Sequence, residues 1–230
     1  MKKRLQAHPA GLHLGLMLAL TFSTGIIDAV GYLGLDRVFT GNMTGNVVIL
    51  GMALAGADDL PIVGPVVALV LFMLGALIAG RVLRPVAAGW SGRSTVLFTF
   101  VGVVILAAAV PLFVLDDPAE PLKLAVTGAL GLAMGLQAGA ARHIGVKDVT
   151  TVVVTSTLVG LAFDSKFGRG DGQQWKRRAG AVLLIGLGAL VGALLLNVHI
   201  GLGMAVAAVI TLVCALLGHI GRPHTDPAAG

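Results

Sequence analysis

Thr40-Gly41-Asn42-Met43-Thr44-Gly45-Asn46 is a tandem Thr-Gly-Asn set with a four-residue offset, placed between strongly apolar runs. If helical, Asn42 and Asn46 share a face, as do Thr40 and Thr44. Asn and Thr favour helix starts, where their side chains accept from backbone amides that have no partner. Gly41 and Gly45 weaken a helix and permit close backbone approach. The preceding Val38-Phe39 is β-prone. The stretch predicts an extended strand dipping into a membrane, then a half-helix that begins near the midplane.

The membrane follows from everything around it. The chain has 230 residues, 57% of them hydrophobic and 12% charged, where soluble domains carry roughly 25% charged residues. Mean hydropathy is +0.95. That leaves too little polar surface for a water-soluble globule, and argues against a cytosolic enzyme, a secreted disulfide scaffold and a disordered tail. The single cysteine, Cys214, has no partner for an internal disulfide. The net charge of +5 does not signal nucleic-acid binding, because the basic residues sit in short clusters between apolar runs.

Eight apolar runs are legible: 12–35, 44–57, 62–80, 95–115, 122–141, 152–163, 179–196 and 200–217. Six have about the length needed to cross a ~30 Å hydrocarbon core. The runs 44–57 and 152–163 are too short and read as re-entrant or broken helices. Lys2, Lys3 and Arg4 before the first run resemble the start of a signal peptide. That run is long and lacks a small-residue cleavage site, so a retained first helix is expected. The tail after Gly221 is expected to be disordered. The fold expected is an all-α polytopic membrane protein: one transmembrane domain over 1–230, six crossing helices and two short half-helices.

Charge separates the candidate topologies. With six crossings and a cytoplasmic N-terminus, all 16 basic residues except Arg37 and Lys123 fall inside. With eight crossings, Arg37, Arg81, Arg84, Arg93, Arg142 and Lys147 fall outside. Six crossings, with both termini cytoplasmic, fit the rule better. The acidic turns 58–59 and 116–117 then face out.

The two short runs are related. A shift of 111 residues lays Gly34, Val38, Thr40 and Thr44 on Gly145, Val149, Thr151 and Thr155, and Gly45-Asn46 on Ser156-Thr157. With two residues inserted, Gly75-Ala76-Leu77-Ile78 falls on Gly188-Ala189-Leu190-Val191. Three crossings per half is an odd number. An inverted-topology repeat is therefore expected, with halves at about 11–115 and 122–220. Thr150, Thr151, Thr155, Ser156 and Thr157 form the second polar kink.

Two inverted half-helices would aim their N-termini at one central point, where dipoles and free amides favour an anion or a strongly polar group. This is how secondary transporters build sites. The alternative is that Thr and Asn simply bond helix to helix in a packed bundle. Asp28 is the one acid inside a long apolar run, and a carboxylate there is a functional candidate. It suits a coupling proton, a charge partner for Arg142, or a place near the headgroups. Gln137, in the matched helix, is a candidate for the same cavity, and Asp164 for the cytoplasmic boundary. The site set is thus Asp28, Thr40, Gly41, Asn42, Thr44, Gly45, Asn46, Gln137, Thr150, Thr151, Thr155, Ser156 and Thr157. His13, His199 and His219 lie near run ends with no partner at metal spacing. No nucleophile elbow, phosphate loop or zinc signature occurs, so no enzyme activity, cofactor or metal is expected. The Gly75-x4-Gly80 and Gly186-x-Gly188-x3-Gly192 clusters read as helix-packing surfaces, internal or dimeric.

Asp28-Ala29-Val30-Gly31-Tyr32-Leu33 followed by Phe39-Thr40-Gly41-Asn42-Met43-Thr44-Gly45-Asn46-Val47-Val48 resembles the YoaK-like family of bacterial inner-membrane proteins, a domain of unknown function. Met134-Gly135-Leu136-Gln137, Ala141-Arg142, Gly145-Val146-Lys147-Asp148-Val149 and Thr155-Ser156-Thr157-Leu158 match its second block. The chain departs from that pattern at Ala138, where Asn is usual, and at Ser156, where Gly is usual. The resemblance implies the inner membrane and supplies no substrate. The half-helix arrangement also looks like that of the uracil and sulfate permease folds. The function expected is a small secondary transporter or facilitator of a small polar or anionic solute, in contact with the lipid bilayer and working as a homodimer. The alternatives are a passive channel lined by the same segments and a non-transporting scaffold.

Overall fold

In hydrocarbon each backbone N–H and C=O must be paired within the protein, and helices do this locally. A computed structural model describes residues 9–57, 59–115, 118–146, 154–170 and 175–222. It contains α1 (Pro9–Gly34), α2 (Met43–Leu54), α3 (Val63–Leu83), α4 (Gly92–Val114), α5 (Glu120–Ile144), α6 (Val154–Phe163), α7 (Trp175–Leu196) and α8 (Ile200–Gly221). Among the described residues there is no strand. α1, α3, α4, α5, α7 and α8 are long and apolar enough to cross a membrane. α2 and α6, with 12 and 10 residues, are not.

Local chemistry sets the helix ends. Ser91 and Ser94 form a reciprocal capping box at the start of α4. Pro121 sits in the first turn of α5, and Gly145 ends that helix with φ 70°, a backbone state that glycine reaches freely. α1 stops at Gly34, and the chain reverses through Asp36 and Arg37, whose φ values are 68° and 54°. Positive φ is strained for such residues. Arg37 helps hold the reversal by donating from Nη1 to the Asp59 carbonyl at 2.9 Å.

Glycines let the helix backbones touch. α1 and α7 run in the same direction, with no room for a Cβ at Gly25 against the Ile185 carbonyl or at Gly188 against the Phe22 carbonyl. α3 and α5 do the same, Gly75 meeting the Leu132 carbonyl and Gly135 the Phe72 carbonyl. Gly80 and Gly186 meet no atom within 4 Å, so the two glycine clusters pack internally only in part. α8 runs antiparallel to α1, and Ser23 Oγ donates across to the Ala207 carbonyl at 3.1 Å. Its far end places Gly218 under the Trp90 ring at the start of α4.

The packing pairs are α1 with α7, α8 and α5; α3 with α5, α2 and α4; α4 with α5 and α8; and α7 with α6 and α8. Exchanging α1–α4 with α5–α8, in order, turns each of these pairs into another of them or leaves it unchanged.

One end of the bundle gathers Leu35, Asp36, residues 61–64, Glu120 and Lys123, with Phe113 stacked on His199. The other gathers His13 stacked on Trp90, and His143, whose Nε2 lies 3.0 Å from the Ala87 carbonyl oxygen. The chain thus leaves α1 and enters α3 at the same end, with α2 in between.

Candidate functional site

The segment between α1 and α2 folds back onto α1. Gly41 lies against the Thr24–Asp28 face, where an added Cβ would be 2.9 Å from Thr24 Cγ2 and 3.4 Å from both Asp28 carboxylate oxygens. This contact turns three successive backbone amides toward one side chain. Asp28 Oδ1 accepts from the N–H of Thr40 at 3.0 Å, Gly41 at 2.7 Å and Asn42 at 3.4 Å. Converging amides of this kind make an anion-binding concavity, and here the protein's own carboxylate fills it. The amides expected to meet an anionic solute are therefore already used. Asp28 is 9% exposed, and its Oδ2 has no hydrogen-bond partner among the described residues.

The two Asn residues of the tandem set have different tasks. Asn42 is the N-cap of α2, its Oδ1 accepting from the Gly45 N–H at 3.2 Å. Asn46 is fully buried. Its Oδ1 accepts from the Phe39 N–H at 2.9 Å, and its Nδ2 donates to the Phe39 carbonyl at 2.6 Å. The carboxamide thus does for Phe39 what a neighbouring strand would do. The strand expected at 38–39 is replaced by irregular backbone.

Beside this segment lies a cavity of about 700 Å³, within the usual range of ligand pockets. α1 contributes Thr24, Asp28 and Tyr32, and the fold-back segment contributes Phe39, Gly41 and Asn42. Thr44 and Gly45 come from the start of α2, Val154 and Thr155 from the start of α6, and Ile185, Gly186 and Ala189 from α7. The Tyr32 and Phe39 rings stack, with centroids 4.8 Å apart. Asp28 is the one charged residue among those described on the wall.

Of the residues singled out in the sequence, Asp28, Gly41, Asn42, Thr44, Gly45 and Thr155 line this cavity. Thr40 and Asn46 are buried behind it. Gln137 reaches across from α5, donating from Nε2 to Thr24 Oγ1 at 2.9 Å, so it braces the wall from behind. Ser156 is exposed, Thr157 is half-buried, and neither is on the wall. Thr150 and Thr151 lie outside the described residues. Arg142 is exposed in the last turn of α5 and forms no ion pair with Asp28, whose charge is met by amides instead. Sequence reasoning missed Thr24, Tyr32, Phe39 and the α7 wall. Thr24 and Tyr32 stand four residues either side of Asp28, the helical spacing that puts all three on one face.

The family described as a protein of unknown function (DUF1275) matches residues 16–217. The chain belongs to this family. It is also 30% identical over 196 residues, 78% of this chain and 82% of the relative, to the UPF0700 transmembrane protein YoaK of Bacillus subtilis strain 168. No solved structure matches. In this DUF1275 chain the matched span contains every cavity residue named above.

An ion pair and a further carboxyl also lie apart from the cavity. Arg178, near the start of α7, binds Asp164 at 2.6 Å and the Gly160 carbonyl at 2.7 Å, tying down the end of α6. Asp36, in the reversal after α1, has its carboxyl pushed above the ordinary range, first by burial and then by the nearby Glu120 charge.

Proposed function

We propose that this DUF1275 protein is a small secondary transporter or facilitator that moves a small polar solute through the cavity between α1, α2, α6 and α7. The observation that carries the reading is the wall itself, which takes residues from the starts of both short helices and holds a buried carboxylate. A soluble-style core has no use for such a combination inside a membrane, where ionisable groups mark solute or proton paths.

In this reading α2 and α6 are re-entrant half-helices, and the halves form an inverted repeat. The support is the pairwise exchange symmetry of the helix contacts and the return of the chain from α1 to α3 at one end of the bundle. Transporters of this design rock one repeat against the other around a fixed site. The proposed location is the bacterial inner membrane, with the start of α1 and the 84–92 connection cytoplasmic. The proposed working unit is a homodimer, supported by the open faces at Gly11 and Gly15, where an added Cβ meets nothing within 4 Å. An anionic solute is disfavoured, because Asp28 occupies the amides of the first kink.

The test is uptake into proteoliposomes from a panel of small labelled polar solutes. Saturable uptake, abolished by Thr155→Trp in a variant that purifies folded, supports the carrier. Conductance without saturation supports a channel. No flux of any solute from the folded protein leaves a scaffold.

A further inference from the structure

We infer that the cavity is built for a small monovalent organic cation, of the ammonium or guanidinium class; this rests on the proposed solute site and names its ligand chemistry. Three observations converge on it. Asp28 Oδ1 takes all three amide bonds, which leaves Oδ2 with no partner among the described residues while Asp28 lines the cavity. A carboxylate oxygen left in a low-dielectric wall is stabilised by a charge-assisted donor more than by a neutral one. No Lys, Arg or His stands among the described cavity residues, so none of these brings a cation to that oxygen.

The aromatic wall is the third observation. Tyr32 lies one helical turn beyond Asp28 on α1, and its ring stacks on that of Phe39 at 4.8 Å. Both rings line the same cavity as the carboxylate. Ring faces attract cations through their quadrupole, and the attraction grows when water is excluded. A carboxylate and an aromatic pair lining one cavity offer a compact cation both a charge and a ring quadrupole. Asn42, Thr44 and Thr155 add neutral oxygens, which accept from N–H groups. An anion would face the Asp28 charge, and a neutral amide would gain only ordinary hydrogen bonds.

The amide cradle has a second consequence. It fixes the rotamer of Asp28 without neutralising its charge, so the carboxylate is held ready for a ligand instead of searching for one. Preorganisation of this kind lowers the ordering cost of binding.

The experiment compares cations with shape-matched controls on the whole protein in detergent. Equilibrium dialysis measures methylguanidinium against methylurea, which share size and planarity but differ in charge, together with tetramethylammonium and acetate. Methylguanidinium should bind at least about tenfold tighter than methylurea, and acetate should not compete. Asp28→Asn keeps a carbonyl oxygen for the three amides, so it should retain the fold and erase the preference. Tyr32→Leu should weaken tetramethylammonium several-fold in a variant that still purifies folded, while leaving methylurea binding unchanged. Equal binding of methylguanidinium and methylurea overturns the inference, as does tighter binding of acetate or no binding of either cation at tens of millimolar. The transport reading fails separately. Cation binding without flux in vesicles would retire the transporter and keep the site, whereas saturable flux of a neutral or anionic solute that survives Asp28→Asn would do the reverse.

Discussion

Replacing Asn46 by Leu should destabilise the protein far more than its small change in volume suggests. The Asn46 carboxamide is fully buried and makes two bonds to one residue, the Phe39 N–H at 2.9 Å and the Phe39 carbonyl at 2.6 Å. Leucine makes neither. A buried donor or acceptor left without a partner costs about 1–3 kcal/mol, so the pair predicts a loss of about 2–6 kcal/mol. The added apolar surface offsets little, because lipid is as apolar as leucine. Phe39 adjoins the Thr40–Asn42 amides that hold Asp28, so the cavity wall should loosen as well. The assay is thermal unfolding in detergent, followed by circular dichroism, with Asn42→Ala as the comparison. Asn42→Ala loses one exposed cap bond, worth about 0.5–2 kcal/mol. The reasoning is refuted if Asn46→Leu melts with the wild type, or loses less than Asn42→Ala.

Gly188→Val should prevent stable folding, because the Phe22 carbonyl occupies the place of its Cβ, whereas Gly186→Ala, with nothing within 4 Å, should express and melt like the wild type. A cysteine at Asp59 should label in intact cells and one at Arg84 only after permeabilisation; labelling of both from outside would overturn the six-crossing orientation. Light scattering in lipid nanodiscs should give about twice the 23.3 kDa chain mass, and a monodisperse monomer would count against the dimer.

How much of this was legible depends on where the physics is local. The short helices were readable because their starts carry local signals: the run expected at 44–57 is α2 (Met43–Leu54), and that at 152–163 is α6 (Val154–Phe163). The helix α7 begins four residues before the apolar run at 179–196. Lys176, Arg177 and Arg178 interrupt the apolar run, yet the helix begins at Trp175, since long basic side chains extend away from a helix without breaking it. Asp28 was recognisable as unusual from its apolar surroundings. Its partners were not, because they depend on a chain reversal through positive φ at Asp36 and Arg37, where no glycine advertises the turn. The two bonds between Asn46 and Phe39 cross a stretch, 39–42, that is not helical, so residue spacing does not announce them, and the sequence reads Asn46 as a wall residue when it is a brace. Ile185 and Ala189 carry no polar signal at all, and only the packing of α7 on α1 brings them to the cavity.

The central claim is that the two short helices begin at one shared, water-accessible cavity inside the bundle. The most direct measurement is the reaction rate of single cysteines with a membrane-impermeant, water-soluble thiol reagent, in a Cys214→Ala background. Asn42→Cys at the cap of α2 and Thr155→Cys at the start of α6 should both react, at least about tenfold faster than Leu187→Cys on the outer face of α7. Attaching the reagent at one position should block the cavity and slow reaction at the other in a double variant. If Asn42→Cys and Thr155→Cys react no faster than Leu187→Cys, or react independently of each other, the shared cavity does not exist and the account built on it falls.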